Sequence, residues 1–138
     1  MVSIGLVAHV VLYDCMSDLT TAAPDVVIDG PLLVNETEVL VISCNATGIS
    51  PPNITWMFVR SGSNLTDAVS ITSGSDRYTI DTDDPQAQED KNLLLKSTLM
   101  VNNTNMNDTG TYGCHANNFL NRSTETVNVT VQCKQLHH

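Results

Sequence analysis

Apolar and polar residues alternate with a period of two through most of the stretch from residue 25 to residue 132, in short runs punctuated by Gly, Pro, Asn and Asp. That period predicts half-buried strands, not helices. The run Glu38 to Asn45 turns Leu40, Ile42 and Cys44 to one side, and Ile54 to Arg60 turns Ile54, Trp56 and Phe58 inward while Met57 and Val59 face out. Upstream, Asp25 to Asp29 and Leu32 to Val34 read as one strand broken at Gly30-Pro31. Downstream come Ala68 to Thr72, Arg77 to Thr82, Leu93 to Val101, Gly110 to Asn117, and Thr124 to Gln132 with Val127, Val129 and Val131 inward. Turn chemistry separates these runs: a Gly-Ile-Ser-Pro-Pro loop from Gly48, a Ser-Gly-Ser-Asn turn from Ser61, and a polar hairpin tip through Asp84-Pro85-Gln86. No internal repeat appears.

Length and composition narrow the class. A chain of 138 residues, 41% hydrophobic, fits one core of ordinary size and argues against disorder. The longest apolar run is too short to span a bilayer, so any membrane attachment would come through other parts of a parent chain. With 15 acidic and 6 basic residues the net charge is −9. Such a surface repels phosphate backbones, and no nucleic-acid partner is expected.

The segment Asn107-Asp108-Thr109-Gly110-Thr111-Tyr112-Gly113-Cys114 reads as Asp-x-Gly-x-Tyr-x-Cys, with Cys44 upstream and Trp56 twelve residues after it. In that order these residues resemble the immunoglobulin superfamily. The run from Ala46-Thr47-Gly48 through Pro52-Asn53-Ile54-Thr55-Trp56, and the ending Cys114-His115-Ala116-Asn117-Asn118, are similar to its intermediate set, over residues 25 to 131 or so. The resemblance implies an all-β, two-sheet antiparallel sandwich of Greek-key type, a Cys44–Cys114 disulfide joining the sheets, and Trp56 packed against it. It further implies a tyrosine corner from the Tyr112 hydroxyl to upstream backbone, a tight turn allowed by Gly110, and a structural salt bridge between Arg77 and Asp108. Two positions depart from the pattern. Asn121 stands where glycine is usual, and its tolerance of the left-handed conformation would preserve the turn. The segment from Arg77 to Leu93 is longer than the set needs, which leaves a variable-type layout open.

Asparagines place the chain in a cell. Sequons of the form Asn-x-Ser/Thr begin at Asn35, Asn45, Asn53, Asn64, Asn102, Asn107, Asn121 and Asn128. With 13 Asn, and about a fifth of residues Ser or Thr, chance would give only about two or three. Alternation from the core cysteine, tryptophan and valines turns Asn45, Asn53 and Asn128 outward, where N-linked glycans would meet solvent. Together with a disulfide, this predicts an extracellular setting, either secreted or in the ectodomain of a membrane protein.

Catalysis and metal binding find no support in the residues. His9 lies in an apolar stretch, His115 follows a core cysteine, and His137 and His138 end the chain. None has a nucleophile elbow or similar local motif nearby. Cys15, Cys44, Cys114 and Cys133 lack the spacing of a zinc or redox site. Asp81, Asp83, Asp84, Glu89 and Asp90 cluster without the ligand spacing of an EF-hand loop. The expectation is a non-enzymatic domain with no cofactor and no metal.

What remains is recognition by a surface. Met57 and Val59, with Gly113 and His115 as outward neighbours, form a candidate partner-binding patch, joined by the loops around Pro51 and Phe119. The expected function is protein–protein recognition in adhesion or cell-surface receptor function, homophilic or heterophilic. Its alternatives are a ligand-binding module of a growth-factor receptor ectodomain and a structural spacer. Residues 24–133 form the expected domain, 134–138 a tail and 1–23 an extension. Val2 to Leu12 is apolar enough for a signal-peptide core, although no Lys or Arg precedes it and Tyr13-Asp14-Cys15 is a poor cleavage site. The extension is otherwise the last strand of a preceding domain, or a strand docking on an edge. Cys15 and Cys133 would pair only if that segment folds back along the domain.

Overall fold

The computed structural model describes residues 23–48, 52–74, 76–88, 92–118 and 121–133. The expectations for Cys15, for residues 1 to 22, and for the loops at Pro51 and Phe119 lie outside the described residues.

Among the described residues, ten strands form two sheets of five. In chain order they are β1 (Asp25–Asp29), β2 (Leu33–Asn35), β3 (Leu40–Gly48), β4 (Asn53–Arg60), β5 (Val69–Ile71), β6 (Tyr78–Thr82), β7 (Gln86–Ala87), β8 (Leu93–Val101), β9 (Gly110–Asn117) and β10 (Arg122–Gln132). Sheet 1 runs β1-β3-β8-β6, with β7 also on β8; sheet 2 runs β2-β10-β9-β4-β5. All pairings are antiparallel except β2 with β10, which is parallel. The break at Gly30-Pro31 therefore does more than interrupt a strand. It carries the chain from the edge of one sheet to the edge of the other.

Alternation fixes the core. On β3 the side chains of Leu40, Ile42, Cys44 and Ala46 are buried while Val41, Ser43 and Asn45 are exposed. Facing them from sheet 2 are Trp56, Tyr112, Cys114, Ala116, Val129 and Val131, all buried. The long stretch after Arg77 resolves the question of layout. Its first part, β6, pairs with β8 in sheet 1, and β7 extends the same hairpin by pairing Gln86 with Leu94. Only three residues, β5, add to the edge of sheet 2 beyond β4. The extra length lengthens a sheet 1 hairpin, and the described residues contain no further strand beyond β5 of the kind a variable-type layout carries.

Candidate functional site

Two groupings of residues account for the sequence motif. The first is the inter-sheet centre. Cys44 on β3 and Cys114 on β9 are bonded, with Cα atoms 6.4 Å apart. Trp56 lies directly opposite Cys114 in the β4–β9 register and belongs to the same core cluster. Burying an indole leaves one N–H to satisfy. Trp56 Nε1 donates to Ser97 Oγ at 2.9 Å, and Ser97 Oγ lies 2.8 Å from Thr82 Oγ1, so the donor finds a partner in the opposite sheet. Ser97 escaped notice in the sequence, although a serine at an inward position between Leu95 and Leu99 is itself a signal that a buried polar partner is required.

The second grouping is the corner below β9. Tyr112 OH donates to the Asp108 carbonyl at 2.7 Å, and its ring lies 4.7 Å from that of Phe58 between centroids. Burial, aided by the charge of Asp108, pushes the Tyr112 hydroxyl well above the ordinary tyrosine range. Arg77 Nη2 lies 2.6 Å from both carboxylate oxygens of Asp108, which also accepts the Asn105 backbone N–H at 2.8 Å in a capping box. Partial burial lowers the pKa of Arg77, but the hydrogen bond and charge of Asp108 outweigh it and the net direction is up. Gly110 serves a different purpose from the one the motif suggested. It is not among the described residues with positive φ; a Cβ there would land on the Val59 carbonyl oxygen and the Phe58 ring. Close approach of two strands, not turn conformation, demands glycine at this position.

Asn121 likewise works by another route than the expected left-handed backbone, since among the described residues only Thr37 and Asn103 take positive φ without being glycine. The turn is closed by a backbone bond, with the Asn118 N–H donating to the Asn121 carbonyl at 3.0 Å, and by amide side chains: Asn118 Oδ1 accepts the Asn121 N–H and Asn121 Oδ1 accepts the Arg122 N–H, each at 2.8 Å. Thr104, also missed in the sequence, is buried. Its hydroxyl lies 2.9 Å from the Glu38 carbonyl and 3.2 Å from that of Asn35, and its carbonyl accepts the N–H of Thr37 at 2.7 Å. This clasp holds the β2–β3 turn, where Thr37 adopts φ 74°, an uncommon conformation for a β-branched residue.

The sequon asparagines sort by environment. Asn45, Asn53, Asn64, Asn107, Asn121 and Asn128 are exposed, whereas Asn35 and Asn102 are half-buried. The Asn35 amide oxygen accepts from Gln132, that of Asn128 from the Thr111 hydroxyl, and that of Asn107 from the Arg60 guanidinium. Asn102 instead uses its amide nitrogen, donating to the Asp76 carbonyl at 3.1 Å.

The outer face of sheet 2 carries the expected patch residues in consecutive rows. Thr55, His115 and Thr124 form one row; Ser70, Met57, Gly113 and Thr126 the next; Val59, Thr111 and Asn128 the third. Met57, Val59 and His115 are half-buried and Gly113 is buried. A Cβ on Gly113 would meet Thr126 Cγ2 at 3.6 Å and Met57 Cε at 3.8 Å, so the neighbours fold over the glycine and leave a shallow surface, not a pit. His115 Nδ1 lies 2.7 Å from Thr124 Oγ1 within its row. No Asp, Glu, Lys or Arg occupies these three rows. The outer face of sheet 1, by contrast, presents Asp25, Asp29, Asp81 and Lys96.

Comparison with known proteins bears on the whole unit. The family model described as Immunoglobulin I-set domain matches residues 28–131. Among solved structures, Titin-A168169 is 19% identical, with 81% of this chain and 49% of that one covered and a TM-score of 0.58. The complex of Dpr2 Ig1-Ig2 with DIP-Theta Ig1-Ig3 is 17% identical over 81% of this chain and 33% of that one, TM-score 0.61. The Dscam1 Ig7 domain, isoform 9, is 18% identical over 80% of this chain and 100% of that one, TM-score 0.56. The chain thus spans half or less of the first two. At these identities the likeness establishes the fold alone.

Proposed function

We propose, from the premise that this chain belongs to the immunoglobulin I-set family, that it is a non-enzymatic extracellular module which binds a protein partner through the outer face of sheet 2. The observation that carries this reading is the absence of formal charge from three successive rows of that face, in a chain of net charge −9. Desolvating a carboxylate or ammonium opposes association, and the centres of protein interfaces are accordingly depleted in charged residues. Rows of Thr, Ser, His and Met present hydroxyl and imidazole groups for hydrogen bonds around a small apolar centre. The eight sequons and the inter-sheet disulfide support an oxidising, glycosylating compartment. One solved structure of similar fold is itself a protein–protein complex, that of Dpr2 with DIP-Theta, and it supports the reading by likeness of fold.

A multimerised form of the module, screened against cell surfaces and secreted proteins including itself, tests the proposal. Binding is expected, and Met57→Asp with Val59→Asp should weaken it at least about tenfold by placing charge at the interface centre. Val27→Asp, on the opposite face, should leave it unchanged. A silent screen would favour a spacer, and equal loss from both faces would remove sheet 2 from consideration.

A further inference from the structure

We infer that Asn45 carries an N-linked glycan whose first sugar packs over Val27 and covers the outer face of sheet 1; this rests on the extracellular reading above. Asn45 sits in mid-strand on β3, exposed, and its side chain makes no hydrogen bond to another described residue. Directly opposite it on β1 is Val27, which is 64% exposed, and on its other side is Lys96 of β8. Residues paired in this way have Cβ atoms about 5 Å apart. That is within reach of the first N-acetylglucosamine on the Asn45 amide, whose C–H face would remove the valine from water. β1 is moreover an edge strand of sheet 1, and a bulky hydrophilic group beside it would obstruct pairing of that edge with another chain.

One other sequon of this chain is committed to structure through its amide nitrogen. In the triplet Asn102-Asn103-Thr104, the Asn102 amide nitrogen donates to the Asp76 carbonyl and the Thr104 hydroxyl is buried in the clasp on Asn35 and Glu38. Both groups that a glycosyl transfer needs at that triplet are used by the fold. At Asn45 the amide is open. The transfer joins Asn45 Nδ2 to the anomeric carbon of the sugar and breaks the bond from that carbon to the pyrophosphate of a lipid-linked oligosaccharide donor. The pyrophosphate-lipid leaves with the bonding pair, and one amide proton is released.

The full chain, secreted from a glycosylating host, tests this by glycopeptide mass spectrometry and thermal unfolding. Asn45 should be occupied and Asn102 bare. Asn45→Gln should lower Tm by roughly 2–5 °C. In a Val27→Ser background the same substitution should lower it by less than half as much, because the packing surface is already gone. Asn45 bare while other sequons are occupied, or equal Tm losses in the two backgrounds, would overturn the inference but leave the extracellular reading standing. Failure to secrete, with none of the eight asparagines modified, would overturn that reading itself.

Discussion

Tyr112 ties the motif to stability through one proton. Its hydroxyl is buried and donates to the Asp108 carbonyl, and burial raises its pKa in the folded state above the ordinary value near 10. The folded protein therefore binds more protons than the unfolded chain once the pH exceeds about 10, and below that both states keep the phenol neutral. Stability should be indifferent to this group up to about pH 10 and then fall, with a slope approaching ~1.4 kcal/mol per pH unit. Urea titrations of wild type and Tyr112→Phe check the sign: the variant should lose about 1 kcal/mol at neutral pH yet lack this alkaline slope. The identity of the tyrosine was legible because its spacing from Cys114 is local. The reason for Gly110 was not, since the atom it must avoid, the Val59 carbonyl oxygen, belongs to a strand fifty residues away in sequence.

At the scale of elements, the sequence pattern placed β1, β8 and β9 to the residue and the ends of β2 to β6 and of β10 to within a few positions, whereas β7 falls where a polar hairpin tip was expected. Registers were another matter. Nothing local says that Ser97 on β8 will stand beneath the Trp56 indole of β4, for the two belong to different sheets. Ser97→Ala should leave that N–H without its acceptor and cost roughly 1–3 kcal/mol. Denaturant unfolding monitored by the fluorescence of Trp56, the chain's one tryptophan, reads the loss directly. If stability is unchanged, the indole has another partner. The Asn118–Asn121 turn makes a similar point: the departure from glycine was visible in the sequence, but the replacement of backbone conformation by amide hydrogen bonds depended on where the two side chains met.

Across the whole molecule, the Cys44–Cys114 bond closes a loop of seventy residues and fastens the sheets through their shared interior. In the chain-entropy account a loop of this size is worth roughly 4 kcal/mol. Cys44→Ala with Cys114→Ala should lower the unfolding free energy by about 2–5 kcal/mol, measured by urea titration. The two outer faces then differ in character, one carrying carboxylates, Lys96 and the open amide of Asn45, the other three rows without formal charge. From sequence alone came the β strands, the inward cysteines, tryptophan and tyrosine, and the outward Asn45, Asn53 and Asn128, with the two-layer class implied by the family resemblance, because alternation and motif spacing are properties of neighbouring residues. Only the tertiary structure decided that Gly30-Pro31 moves the chain between sheets, that Thr104 clasps a distant turn, and that Asn45 stands opposite Val27. Those juxtapositions depend on pairing between strands far apart along the chain, where register is fixed by the packed core and not by local pattern.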